Sequence, residues 1–404
     1  MKYVVVLAWL FLPACIISAS GQVKGCTDPQ ASNYNALATE NDGSCIYAKT
    51  TLSPAIVCPK LNDSLLETSG LIYFGNRFWT LNDSDNPAVL YAFDSMNGNI
   101  LHRIYIGNQT NTDWEDLAQD STHIYVGDFG NNLGNRKDLR VLVIKKSDID
   151  LTSPADTVTA SEIHFSLGDQ TSFNHTNQAH DFDLEAFCSF GDSLHLFSKN
   201  WVDKQTRHYV LPKIPGTYAV YPRESFSVNG QVTGAGCDEK RGVMVLTGYN
   251  LSDISCFIWI LWDLDSGFFS KGNKRRIELG TVASFGQNEA VCFKGNALYL
   301  SNEKYLTEAS LRRVEIDRFI SGKPLAIHGK VKELTFTAWQ TGHTLYIKGK
   351  DIAGKTLNIH NSDGKLIRSV KLGMTETSIN VDELMEGVFL LEVEENVMKI
   401  YIKN

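Results

Sequence analysis

The residues of this chain best suited to chemistry are carboxylates, amides and a lysine that recur at the ends of short apolar runs. Glu67, Asp113, Glu115, Asp183, Glu185 and Glu289 stand where such runs begin, and Asn82, Asp83, Asp128, Asn131, Lys199, Asn200, Asn302 and Glu303 where the following runs end. Gathered at one place, these carboxylates repel one another unless a cation, a basic group or a shared proton compensates. Hard oxygen donors with few histidines suit Ca2+ better than Zn2+. Glu67, Asp83, Asp113, Glu115, Asp128, Asp183, Glu185, Glu289 and Glu303 are therefore candidate ligands for Ca2+. In a hydrolase, Glu115 and Glu185 would be metal ligands or the base that activates water. Lys199, Arg136, Arg207 and Asn200 would balance charge or grip an anionic ligand. The same carboxylates have a structural alternative, accepting from backbone N–H groups of the next repeat and fastening it. Trp79, Trp114 and Trp201 serve either as packing or as a stacking platform.

These residues are placed by a repeat. Five stretches, Leu66 to Asp83, Asp113 to Asn132, Asp183 to Asn200, Val232 to Asn250 and Gln287 to Lys304, share one plan. Each has a small or acidic start, an apolar strand, a tight turn, a second apolar strand and a polar end. A third strand follows each: VLYAFD, LRVLVIKK, TRHYVLP, CFIWILWDL and LRRVEID. Multi-strand repeats of this length predict propeller blades. The first strand of each blade then lines a channel, and its start shares a face with the loop joining the second and third strands. The fifth repeat lacks an outer strand downstream, and Pro54 to Leu61 is placed to supply it. The expectation is an all-β chain with a five-bladed β-propeller over 51–330; six blades are the alternative, because the gap from Glu115 to Glu185 is long. Blade four departs from the pattern, with Gly234 where a Glu stands elsewhere.

The flanks read differently. Lys2, an apolar run from Tyr3 to Ile17 and Ser18-Ala19-Ser20 predict a secretory signal over 1–20, cut near Ser20; Leu12-Pro13-Ala14-Cys15 is a weaker lipoprotein alternative. No later stretch is long and apolar enough for a spanning helix. Export permits disulfides. Cys26 and Cys45 bracket a short polar segment within 21–50 and are the expected pair, while Cys188, Cys237 and Cys292 fall in three repeats and read as small buried strand residues. With 38 Lys+Arg against 46 Asp+Glu the chain carries a net charge of -8, which argues against nucleic-acid binding. Gly191-Asp192-Ser193-Leu194 spells a lipase-like signature, but it falls in a hairpin turn rather than the strand-to-helix setting such a serine needs.

Three resemblances add to this reading. Gly25-Cys26-Thr27-Asp28-Pro29, Asn33-Tyr34-Asn35 and Asp42-Gly43-Ser44-Cys45 resemble a small module of surface proteins of Bacteroidetes-type bacteria, with Ala36 where that module usually has Pro; Asp28, Asn41 and Asp42 are oxygen donors that could hold Ca2+ there. The segment 334–404, with its Asp363-Gly364-Lys365 turn, its Gly387-Val388-Phe389-Leu390 strand and Lys399 and Lys403, resembles the type A C-terminal sorting domain of the type IX secretion system. That resemblance implies an immunoglobulin-like β-sandwich, recognition by the type IX machinery, and delivery to the outer surface of, or secretion from, a Gram-negative bacterium. The middle resembles the phytase-like and SdiA-regulated propeller families through Glu67-Thr68-Ser69-Gly70-Leu71, Asp113-Trp114-Glu115-Asp116-Leu117-Ala118, Gly127-Asp128-Phe129-Gly130-Asn131-Asn132, Asp183-Leu184-Glu185-Ala186 and Asn288-Glu289-Ala290. It implies a central channel, Ca2+ in some members and phosphoester hydrolysis in others, although the basic residues that grip phosphate in phytases have no clear counterpart here. The expected ligand is a small molecule or a surface polymer, bound by an enzyme or by a module without chemistry.

Overall fold

The computed structural model describes residues 22–264, 268–320, 336–349, 352–361, 365–373, 376–394 and 396–403. The expected signal over 1–20, Cys15 and the expected turn at Asp363-Gly364 lie outside them. The chain divides into two compact units, one built from residues up to Glu239 with Val243–Phe319, the other from Lys240–Gly242 and Ile320–Asn404.

The first unit contains the five expected blades and no sixth among its described residues. Their inner strands are Thr68–Phe74, Trp114–Gln119, Leu184–Phe190, Gln231–Asp238 and Gln287–Lys294. Each begins a meander of β-branched, aromatic and leucine residues punctuated by turn formers. In blade one the inner hairpin turns on Gly75 and Asn76, at φ 58° and 59°, the left-handed pair a two-residue hairpin of this twist requires. The ring closes as expected from sequence: Ala55–Cys58 runs antiparallel to Ser310–Glu315 as the outer strand of blade five, with Cys58 opposite Leu311. The long gap after Glu115 is spent on outer strands. Ser161–Leu167 is the fourth strand of blade two, and Ala155–Val158 adds in parallel to Ile100–Ile106 of blade one. Gly216–Val220 covers blade two in the same parallel manner, so two blade edges that would otherwise expose unpaired backbone are closed by passing chain.

The core lies between blades. Trp79, Leu81, Leu90, Trp114, Leu117 and Ile124 form one fully buried cluster between blades one and two. Trp79 and Trp114 are therefore packing residues. Gly191 opens the hairpin from Leu184–Phe190 to Ser193–Ser198, so Ser193 has no catalytic setting.

The cysteines correct one expectation. Cys188 and Cys237 form a disulfide between the inner strands of blades three and four, where sequence suggested unbonded packing residues. Counted from the equivalent residues Glu185, Thr233 and Glu289, Cys188 and Cys292 are three positions on and Cys237 is four. One step along a strand reverses the face a side chain occupies. Cys237 thus looks back at Cys188, in a shared cluster with Ala186 and Ala235. Cys292 faces the cluster holding Leu71 and Tyr73, and it stays free, as do Cys58 and Cys256. In a non-reduced, alkylated digest we expect the Cys188 peptide linked to the Cys237 peptide. Recovery of both as singly alkylated peptides would remove the bond.

Cys26 and Cys45 form the other disulfide. Their segment docks on blade four, where the Asn41 amide donates to Asp263 Oδ2 at 2.8 Å and to Asn273 Oδ1 at 3.0 Å. Asp28 accepts from Tyr47 Oη at 2.7 Å and Asp42 from Ser44 N at 3.0 Å, so these donors serve separate local bonds.

The second unit is a two-sheet sandwich. Phe336–Thr341, Thr344–Gly349 and Glu376–Asn380 form one sheet, and Leu366–Lys371, Thr356–Asn361, Gly387–Val393 and Asn396–Ile402 the other. Leu345, Ile347, Leu357, Ile359 and Leu391 fill the space between them.

Candidate functional site at the channel mouth

All five inner hairpins carry a register shift at the same place. The shifts fall between Thr68 and Leu71, between Leu184 and Ala186, between Val232 and Gly234, between Asn288 and Ala290, and, in blade two, opposite Val126 and Asp128. A β-bulge leaves one residue out of the ladder and re-aims its side chain. The residues so placed are Ser69, Glu115, Glu185, Thr233 and Glu289. This corrects the reading of blade four: Thr233, not Gly234, occupies the Glu position. Gly234 is where Ala stands in blades three and five, and a Cβ there would lie 2.5 Å from Glu289 O.

The strand starts and the loops after the second strands bring further groups to the same end, as an up-and-down meander must. Glu67 O, Asp113 O and Asp183 O accept from Asp83 N, Phe129 N and Lys199 N, which marks these pairs as equivalent. The mouth is thus lined by Glu67, Asp113 and Asp183, by the bulge residues, and by Asp83, Lys199, Tyr249 and Glu303.

The carboxylates take different roles. Asp83, Asp113 and Glu115 converge, each offering an oxygen within 4.8 Å of the others. Glu115 is 3% exposed, and its Oε1 has no hydrogen-bond partner. Gly130 makes room for this group: a Cβ there would lie 2.0 Å from Glu115 Oε1 and 2.6 Å from Asp113 Oδ2. Glu185 pairs with Lys199 at 2.9 Å, both side chains nearly inaccessible, and the ammonium also lies over the rings of Trp201 and Tyr249 at 4.9 and 5.5 Å. Gln287 Nε2 reaches Glu289 Oε1 at 3.3 Å and Glu303 Oε2 at 3.4 Å. Glu67 accepts from Asn86 Nδ2 at 2.6 Å.

Asp183 and Asp128 serve mainly as fasteners. Asp183 accepts from Asn131 N at 2.7 Å and Trp201 Nε1 at 2.8 Å. Asp128 is held by Arg136 at 2.9 Å and Arg140 at 2.9 Å. Arg136 also donates to Gly130 O at 2.9 Å, and Arg207 donates to Asp181 O at 2.9 Å, so neither guanidinium stands free in the mouth. Asn200 is buried and donates to Asp203 at 2.7 Å. Asn131 and Asn302 likewise tie loops, to Phe182 O and Glu308 O at 3.0 Å each.

The electrostatics follow from burial and crowding. Burial, with Asp83 and Asp183 beside it, pushes Asp113 up to about 7. Glu115 is held well above the usual carboxylate range by burial and then by Glu185, Asp83 and Asp113. Burial also raises Asp83, Glu289 and Glu303. For Lys199 burial works against the charge, but Glu185 and Glu289 outweigh it and keep the ammonium protonated. One lysine thus faces many carboxyl groups that cannot all ionise together unless another cation joins them.

No protein-family profile matches the chain, and no curated protein matches it. Among solved structures, similarity extends to PorZ, a surface component of the type IX secretion system of Porphyromonas gingivalis, at 11% identity and TM-score 0.30 over 83% of this chain and 45% of that one. It extends also to an exo-beta-1,3-galactanase of Phanerochaete chrysosporium, at 12% identity and TM-score 0.36 over 90% of this chain and 92% of that one. Hydrazine synthase of Kuenenia stuttgartiensis gives 10% identity and TM-score 0.31 over 87% and 97%. Nothing about activity transfers at that level of similarity.

Tyr249, Thr233, Gln287 and Asp116 belong to this region and were not picked out in the sequence. A blade alignment with one bulge residue allowed per inner strand finds the first three. Asp116 has no periodic signal; it is one polar residue inside a buried run.

Proposed function

We propose that this chain is an exported propeller that binds a divalent cation at its channel mouth, and a ligand beside it. The observation that carries the cation is the buried, unpartnered Glu115 Oε1 among carboxylates within 4.8 Å. Asp83, Asp113 and Glu115 are hard oxygen donors with no His or Cys among them, which favours Ca2+. Oxygens this close suit an ion whose ligand distances are about 2.3–2.6 Å. Export is supported by the disulfides, which persist in oxidising compartments. Carriage to the surface by the type IX machinery rests on the resemblance of 334–404 to its sorting domains.

The arginines expected to grip an anion are committed to Asp128, Asp181 and backbone carbonyls, and Lys199 is committed to Glu185. That favours a binding module over phosphoester hydrolysis. One feature favours the hydrolase: Glu303, outside the proposed ligand set, is held well above the ordinary carboxylate range by burial and would supply a proton donor beside a metal. Titration calorimetry with Ca2+, followed by a phosphomonoester assay with and without the ion, separates them. We expect saturable Ca2+ binding without turnover. Turnover lost in Glu115→Gln would install the hydrolase, and absence of Ca2+ binding would end the cation reading.

A further inference from the structure

The loops after the second strands of blades two to five, beside Lys199, Tyr249 and Glu303 in the last three, carry exposed apolar tips. Leu133 lies in the loop of blade two, Val202 in that of blade three, Leu251 and Ile254 in that of blade four, and Tyr305 and Leu306 in that of blade five; each is more than half exposed. Blade one has Asp83 to Ala88 there instead. An apolar rim around an acidic well is the composition of a protein-binding face rather than of plain solvated loops.

After a divalent ion is bound the well still holds more carboxyl groups than cations. Asp83, Asp113 and Glu115 would take that ion, and Lys199 is spent on Glu185. On the blade-five side Glu289 and Glu303 remain, bridged by the neutral amide of Gln287 at 3.3 and 3.4 Å. Glu67 adds to the field at Glu303, and the cation that acts on both blade-five carboxyls is again Lys199. A phosphorylated or sulfated ligand would meet this field as repulsion. A neutral saccharide would leave it uncompensated and would find mostly aliphatic tips in place of flat rings.

We propose that the mouth docks a protein segment that inserts one Lys or Arg side chain towards Glu289, Glu303 and Glu67 and lays its apolar neighbours on the rim. The segment's ammonium or guanidinium supplies the missing charge, and the rim excludes water around it. The proposal rests on the cation reading only in assigning Asp83, Asp113 and Glu115 to the metal.

The test uses the full chain in Ca2+ and three immobilised short peptides, identical but for a central lysine, norleucine or glutamate between leucine and phenylalanine neighbours. We expect the lysine peptide to bind roughly tenfold or more tightly than the other two, and binding to weaken with salt. Glu289→Gln with Glu303→Gln should remove that preference while the Ca2+ melting shift persists, which shows that the fold and the metal site survive. Tyr305→Ser with Leu306→Ser should weaken binding several-fold with the preference for lysine kept. Equal binding of the norleucine peptide, indifference to the rim substitutions, or retention of neutral oligosaccharides in place of peptide overturns the proposal. Lysine-selective binding with no Ca2+ shift overturns the metal reading alone.

Discussion

Ca2+ raises the melting temperature of the propeller by about 5–10 °C when supplied at roughly 100 times its Kd, and Glu115→Gln abolishes the rise. The size follows from linkage: such an excess contributes about 2.7 kcal/mol, and each kcal/mol moves a domain of this size by about 2–4 °C. The variant is chosen because Glu115 Oε1 is buried without a partner. Glutamine keeps the shape and removes the charge that a cation needs. In chelator Glu115→Gln melts at or slightly above wild type, since it removes one member of a mutually repelling set. A structural fastener would behave in the opposite way, losing stability in chelator as well as in Ca2+. A Ca2+ shift of equal size in wild type and variant would place the ion elsewhere.

The same measurement has a pH dependence whose sign is fixed. Asp113 titrates near 7 in the folded protein and near 3.9 in an unfolded chain. The folded state therefore binds the extra proton between those values, and stability of the cation-free protein falls as pH rises from about 4 to 7. Ca2+ must displace that proton, so the melting shift is small at pH 5 and full at pH 8. A shift of equal size at both pH values would mean that Asp113 is not a ligand.

The five-blade plan was readable because each blade repeats strand, turn and strand with its own turn chemistry, and because Pro54 to Leu61 had no other place to pair. The acidic mouth was readable for the same reason, since Glu115, Glu185 and Glu289 open equivalent strands. Two things were not. The bulge at each inner strand changes which residue enters the channel without changing the apolar pattern, so the sequence points to Gly234 at the position that Thr233 occupies. The Cys188–Cys237 bond depends on a one-residue offset between two blades, and offsets of that size are invisible until register is known. Roles within the mouth were also hidden. Asp128 and Asp183 look like Asp113 in sequence, and only the donors around them, Arg136, Arg140, Asn131 and Trp201, assign them to fastening.

Asp116→Ala costs about 3–5 kcal/mol and lowers the melting temperature by roughly 10 °C. Asp116 is fully buried on the inner strand of blade two. Its Oδ2 accepts from Phe187 N of blade three at 3.0 Å and from Ala235 N of blade four at 3.1 Å, and its Oδ1 from Leu117 N at 2.7 Å. One side chain thus joins three inner strands, including one that is not its ring neighbour. Alanine leaves two N–H groups of other blades buried and unpaired, at about 1–3 kcal/mol each, with each kcal/mol worth about 2–4 °C. Asp116→Asn keeps one acceptor oxygen and sets an NH2 against an N–H donor, so it loses less than alanine. Burial raises the Asp116 carboxyl well above its ordinary range although three N–H groups oppose the rise, and a carboxyl that leans towards its neutral form makes the amide a closer mimic. None of the three hydrogen bonds reaches a mouth carboxylate, so Asp116→Asn retains the Ca2+ shift that Glu115→Gln loses. Thermal melts of the two Asp116 variants in Ca2+ and in chelator check each step. If alanine melts within a degree or two of wild type, the axis of the ring is held by strand packing alone, and the channel floor is no longer a polar staple.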